Sequence, residues 1–297
     1  MSAVVVTPGL LRSWRLPNPE GDKNAGGRVL IVGGNDHVPG AVFLAAEAAM
    51  RAGAGKLQIA TVQSAATALG LAIPEGFVQG LETDGGGDIA PSAADTIVDL
   101  ASERDAVLLG PGMMHPAAAN ALLEQVIPQL EATVCLDALG LAYLTGNLDG
   151  LAHLGGRSVV SPNVKELFTT LEQNAPAEPQ SEAGIKELRA AVSDLAKRAE
   201  VVVVSGADTS FVAAPDGRAW RDETGGQGLA ISGSGDVKAG IIVGLLARGA
   251  DPVQAAVWAK YVHGRCGERL TSHFGPRGFL ARDLLTHIPQ VIAELEY

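Results

Sequence analysis

The sequence predicts a three-layer α/β/α domain built on a mostly parallel central sheet. Three observations carry this. Short apolar runs alternate with longer helical patterns along most of the chain, as a sheet covered on both faces requires. Of the 297 residues, 37 are Gly and only 4% are aromatic, which suits many tight strand–helix turns better than an aromatic-rich sandwich. Hydrophobic residues reach 47% against 19% charged, enough to bury a large core and to exclude global disorder.

In chain order, residues 1–27 are punctuated by Pro and Gly, end in the polar stretch PNPEGDKNAGG, and read as an arm ahead of a single domain over 28–297. RVLIVG (28–33) is a buried strand, and the alanine-rich 40–52 is a helix. KLQIAT (56–61) is a second strand, with a weak helix at 65–71 after it. Helical patterns at 92–103 and 116–130 flank the strand AVLL (106–109), and 133–136 and 158–160 are further strands. Helices follow at 164–171 and 182–199, the latter leading into four consecutive valines, 201–204, that read as a central strand. Residues 209–213 begin a hairpin whose turn is Pro215-Asp216-Gly217. Three helices, 235–247, 252–270 and 281–294, close the chain. The Pro-rich NAPAEPQSE (174–182) lies inside the alternation and is a surface loop, and no repeat of solenoid length is visible.

Lys plus Arg total 22 and Asp plus Glu 33, a formal charge of −11, and no basic stripe offsets it, so no nucleic-acid partner is expected. A local glycine loop can still hold an anion. The N-terminus lacks a signal-peptide pattern, and the apolar runs 106–114 and 239–247 are too short to cross a bilayer, so no membrane partner is expected. Cys135 and Cys266 read as two buried free thiols of a cytoplasmic protein. The six histidines show no metal-ligand spacing, so no direct metal site is expected, and His263 reads as a structural histidine. Gly33-Gly34 lacks the G-x-G-x-x-G of a dinucleotide-binding dehydrogenase, and there is no G-x-S-x-G elbow. Trp14, Trp220 and Trp258 read as isolated packing residues.

The strongest chemical signal is GLAISGSGDVKAG (228–240), which runs into IIVGLLARG. A glycine turn that opens a helix aims free N–H groups and the positive helix end at one point, so Gly233, Ser234 and Gly235 read as an anion hole. Asp236 in the first helical turn is either a stabilising carboxylate at a helix start or, because an acid beside a bound phosphate needs a task, a base for a substrate hydroxyl. The second reading is favoured.

Here the chain resembles a known family. GSGD opening a long apolar helix is similar to the ribokinase-like superfamily, and the extended pattern resembles its NAD(P)H-hydrate dehydratase branch. GRVLIVGGNDHVPGAVFLAAEAAMRAGAGK, LLGPGM, LDAL, SPNVKEL and SGADTSFVAAPDG follow in the family's order, so the likeness covers nearly all of residues 7–295. It implies a ribokinase-like fold. It also implies ADP- or ATP-dependent dehydration of the S epimer of hydrated NADH or NADPH, through phosphorylation of the nicotinamide-ring hydroxyl and elimination of phosphate. By position, Asp236 would be the catalytic base that also meets the substrate, and Gly233 and Gly235 would serve the transferring phosphate. Ser205, Gly206, Ala207, Asp208 and Thr209, with Gly235, would border the nucleotide, while Ala41, Gly112 and Asn163 would contact the hydrated dinucleotide. ADP or ATP, Mg²⁺, a tetrameric homo-oligomer and a separate epimerase are further implications.

The chain departs from that pattern at Ser205 (usually Lys), Asn163 (His), Val38 (Tyr), Gly226 (Asn), Lys238 (Leu) and Cys135 (Asp). Asn163 and Glu166 also fit N-x-x-E, which sugar and vitamin kinases of the superfamily use near magnesium, so the pair reads equally as metal support or as an ordinary helix start. Two alternatives stand beside the dehydratase: a small-molecule kinase of the same superfamily, and a catalytically weak nucleotide-binding regulator.

Overall fold

The computed structural model describes residues 3–21 and 24–296; positions 1, 2, 22 and 23 of the N-terminal arm lie outside the described residues. Ten strands form one sheet: β1 (Val4–Val5), β2 (Arg28–Val32), β3 (Lys56–Val62), β4 (Gly76–Leu81), β5 (Ala106–Leu109), β6 (Thr133–Leu136), β7 (Ser158–Val160), β8 (Val202–Gly206), β9 (Ser210–Ala213) and β10 (Ala219–Asp222). Their order is β1-β10-β9-β8-β7-β6-β5-β2-β3-β4, and only β9 runs against its neighbours. The mostly parallel sheet is therefore observed. β2, β5, β6 and β8 are buried almost throughout, as strands covered on both faces must be.

The helices are α1 (Pro8–Ser13), α2 (Gly40–Arg51), α3 (Gln63–Ala72), α4 (Ala94–Ala101), α5 (Pro116–Val126), α6 (Val164–Thr170), α7 (Glu182–Ala199), α8 (Ser234–Ala247), α9 (Pro252–Phe274), α10 (Ala281–Leu285) and α11 (Ile288–Glu296). One layer holds α2, α3, α8 and α9 with α10 and α11 behind them, and α4–α7 cover the opposite face. α8 is buried on nearly every side, which explains its lack of a polar stripe, and a Cβ at Gly240 would meet the Ala45 carbonyl at 2.3 Å, so α2 and α8 touch backbone to backbone. α9 starts where Asp251 accepts from the Val253 and Gln254 N–H groups, with Pro252 at the first helical position.

The structure differs from the sequence reading where elements are short or interrupted. The pattern at 281–294 splits into α10 and α11, because Pro289 cannot donate into a continuing helix and instead begins a new one. Pro128 likewise ends α5 at Val126 and leaves a 3₁₀ turn. β4 and β1, which the pattern does not reveal, lie at the two edges of the sheet, where half-exposed residues blur the apolar signal. The segment read as an arm supplies β1 and α1. The three tryptophans converge there: Trp14 and Trp220 stack with centroids 6.0 Å apart, and Trp258 Nε1 donates to the Trp14 carbonyl at 2.9 Å.

Candidate active site

The chain winds outward from β2 to β4 and returns to place β5 on the other side of β2, so β2 and β5 flank a topological switch point, where α/β sheets bind ligands beyond their strand ends. The loops after the two strands meet almost without side chains. A Cβ on Gly33 would lie 2.1 Å from the Pro111 carbonyl, and one on Gly112 would lie 3.1 Å from the Ala41 Cβ. Ala41 and Gly112 are thus neighbours, as a shared substrate role would require. Buried Asn35 and Asp88, which sequence reasoning did not single out, tie these loops: Asp88 accepts from Asn35 Nδ2 at 3.0 Å, Met114 N at 2.9 Å and His115 N at 3.0 Å, and it also meets the His115 ring. Burial alone would raise the Asp88 pKa, but those hydrogen bonds outweigh it and hold the carboxyl below its ordinary value.

Beside this point α8 opens. Gly233 adopts the left-handed conformation (φ +87°) ahead of Ser234, and a side chain there would strike Leu44 of α2. Ser234 and Gly235 face a cavity of about 1080 Å³ walled also by Asn163, Ser205, Gly206, Ala207 and Asp208. The anion-hole turn and most of the expected nucleotide-binding residues therefore share one space. Asp236, Glu166, Thr209, Gly233, Ala41 and Gly112 lie outside that wall. Asn163 falls with the nucleotide residues rather than with Ala41 and Gly112.

Asp236 is half-buried, and its pKa is pushed up to about 6, first by burial and then by the nearby Glu166 charge. Asp137, at the end of β6, is buried and likewise raised, by burial together with Asp236 and Glu166, while Lys238 pulls it back. Burial lowers the Lys238 amine, which Asp137 partly restores. Asn163 and Glu166 form the helix start of the sequence reading: Glu166 N donates to Asn163 Oδ1 at 2.9 Å, and Asn163 N donates to Glu166 Oε2 at 2.8 Å.

His263 is a buried histidine with one hydrogen-bonded ring nitrogen. Its Nε2 lies 2.9 Å from Ser234 Oγ in the anion-hole turn, and burial, with Lys260 and Lys238 nearby, drives its pKa well down, so the ring is neutral. Lys260 is a residue the sequence reading missed. Its one signal there was a cation inside the apolar run 255–262 of α9. Basic side chains in the cavity wall (Lys165, Lys238, Lys260 and Arg277) outnumber the single acidic one, Asp208, although the whole chain is strongly acidic. A cavity of that polarity at a helix N-terminus can hold a polyanion.

The fold and this site define a ribokinase-like α/β protein with a cation-rich cavity at a glycine-opened helix. An Enterococcus faecalis ribokinase-like superfamily protein superposes with a TM-score of 0.81 at 21% identity, covering 99% of this chain and 96% of that one. The chain belongs to the NAD(P)H-hydrate dehydratase family, whose model matches residues 29–290. It is 42% identical over 291 residues to the ADP-dependent (S)-NAD(P)H-hydrate dehydratase of Xanthomonas campestris pv. campestris, covering 98% of this chain and 96% of that protein. The Bacillus subtilis ADP/ATP-dependent NAD(P)H-hydrate dehydratase co-crystallised with ATP/Mg²⁺ superposes with a TM-score of 0.79 at 26% identity, each chain covered in full. The chain spans about half the length of the bifunctional NAD(P)H-hydrate repair enzymes that it also matches. Among the described residues no helix is long and apolar enough to cross a membrane, and both cysteines are buried and unpaired.

Proposed function

We propose that this chain uses ADP or ATP to dehydrate the S epimer of hydrated NADH or NADPH. The observation that carries the reading is the junction at α8: a glycine-opened helix start facing a cation-rich cavity, with a carboxyl poised near neutrality one residue further on. The kinship reported above supports the same reading.

In this mechanism the nucleotide fills the cavity, with its phosphates toward the N–H groups of Gly233 and Gly235. The hydrated ring lies over Ala41 and Gly112. Asp236, raised to about 6, is ionised at neutral pH yet basic enough to take the proton of the ring hydroxyl as phosphate transfers to it. The α8 N-terminus stabilises the charge that develops on the transferring group. The C–O bond to phosphate then breaks as the adjacent ring carbon gives up a proton to solvent, so phosphate leaves and the ring double bond of the dihydronicotinamide is restored.

The donor set suits Mg²⁺ carried on phosphate and water. The Glu166 charge raises the pKa of both Asp137 and Asp236, so hard oxygens converge there, while among the described residues no three ligating side chains form a ready cage. When bound, Mg²⁺ would neutralise phosphate charge, and Asn163 and Glu166 would support it. We read the enzyme as a cytoplasmic homo-oligomer; its unpaired buried thiols suit a reducing compartment.

The test is to incubate the protein with hydrated NADPH and ADP or ATP and follow the near-ultraviolet absorbance of reduced nicotinamide. Absorbance that returns only when nucleotide is present supports the reading. Nucleotide binding with no turnover would point to a regulator instead.

A further inference from the structure

We infer that Lys260 is a nucleotide-binding residue whose ammonium donates a hydrogen bond to the polyphosphate of the nucleotide. This rests on the reading of the cavity as a nucleotide site. Lys260 lies on α9 among buried apolar neighbours and forms part of the cavity wall. Its Nζ donates to Asp222 Oδ2 at 2.8 Å and to the Thr224 carbonyl at 3.1 Å. An ammonium has three N–H groups, so one is left over. Replacing a buried ion pair by packed apolar residues is commonly neutral or stabilising, so a pair kept in a ligand cavity calls for a task.

Two further polar groups of the same wall lack a protein partner among the described residues: Ser205 Oγ, in a residue 1% exposed, and His263 Nδ1, in a residue 6% exposed. This part of the cavity thus holds more hydrogen-bonding capacity than the protein itself uses. Lys165 and Arg277 are exposed, whereas Asp222 and Thr224 fix the buried Lys260 ammonium in one place. A pre-positioned cation loses little entropy on meeting a phosphate. The competing role is a clamp alone. Lys260 helps to hold the loop after β10, which is also anchored where Gly225 N donates to Glu268 Oε1 at 3.1 Å, and that loop lines the cavity.

Calorimetric titration with ATP, ADP, AMP and adenosine, in the presence of Mg²⁺, separates the two. The proteins compared are wild type, Lys260→Met, and the double variant Lys260→Met/Asp222→Asn. The double variant leaves no buried carboxylate unpaired, and it keeps the test valid if the single variant is too unstable to titrate. Both variants are expected to bind ADP and ATP about tenfold or more weakly, as loss of a charge-assisted hydrogen bond implies, and adenosine within about twofold of wild type. Equal weakening for all four ligands would overturn the phosphate contact in favour of the clamp, and undiminished ADP binding in the double variant would overturn it outright. Wild type that binds none of the four would bring down the nucleotide reading of the cavity, and the Lys260 inference with it.

Discussion

The two walls of the site are built from different materials. The wall at the switch point is backbone: Gly33 and Gly112 pack against Pro111 and Ala41, with buried Asp88 drawing the loops together. The cavity wall is side chain and charge: Lys238, Lys260, His263 and Ser205, most of them buried. The backbone wall is tight at its glycines, where a Cβ on Gly33 or Gly112 would meet a carbonyl, although the departure at Val38 falls in its loop. The side-chain wall can be rewritten residue by residue while the fold stands. The departures at Ser205, Gly226 and Lys238 all fall on the second wall. Changes to the first wall should therefore appear as lost stability, and changes to the second as altered binding and turnover.

The largest expected effect lies where the walls meet. Asp236→Asn keeps the size of the side chain but removes the base, so turnover should fall by roughly 10²–10⁴ while nucleotide affinity and melting temperature stay near wild type. In wild type the base must be ionised, so kcat/KM should fall about tenfold per pH unit below the Asp236 pKa of about 6 and level off above it. The Asn variant should lack that acid limb. A variant that melts early yet keeps its specific activity would make Asp236 a helix-start residue only.

Gly33→Ala comes next. Its Cβ would sit 2.1 Å from the Pro111 carbonyl, and no side-chain rotation relieves that. Thermal unfolding should report a loss of about 2–3 kcal/mol, as for overpacking in a rigid core. An unchanged melting temperature would break the distinction between the walls. On the other wall, Lys238→Leu should weaken nucleotide binding by about 1–2 kcal/mol with little change in melting. Unchanged or tighter binding would leave Lys238 as the partner of Asp137 alone.

The smallest effect belongs to the helix start of α6. Glu166→Gln should lower stability by less than about 1 kcal/mol, since the amide oxygen can still accept from Asn163 N. If Glu166 also supports Mg²⁺, the same variant should shift the dependence of activity on magnesium to higher concentration. Coincident magnesium curves for wild type, Glu166→Gln and Asn163→His would reduce the pair to its capping role.

The same division of materials decides what could be read in advance. The valines of β8, the capped α7 and the glycine turn of α8 carry their signals locally, and the structure has them where periodicity and turn chemistry put them. β4 at the sheet edge and the break between α10 and α11 depend on neighbours or on one proline, and the pattern passed over them. In the site, Gly233, Ser234 and Gly235 were legible because a glycine turn ahead of an apolar helix is a local device. The Lys260–Asp222 pair joins residues 38 apart on α9 and β10, and the Ser234–His263 contact spans 29. Only the folded sheet brings such pairs together, so no spacing rule finds them.

Phosphate is expected to pass transiently through the substrate on its way to solution. The most direct measurement follows reduced nicotinamide formed and inorganic phosphate released in the same reaction of hydrated NADPH with ADP or ATP. The two are expected to rise together, one for one, with no phosphorylated product accumulating. A stable phosphorylated product, with no return of the reduced-nicotinamide absorbance, would contradict it and make the protein a kinase.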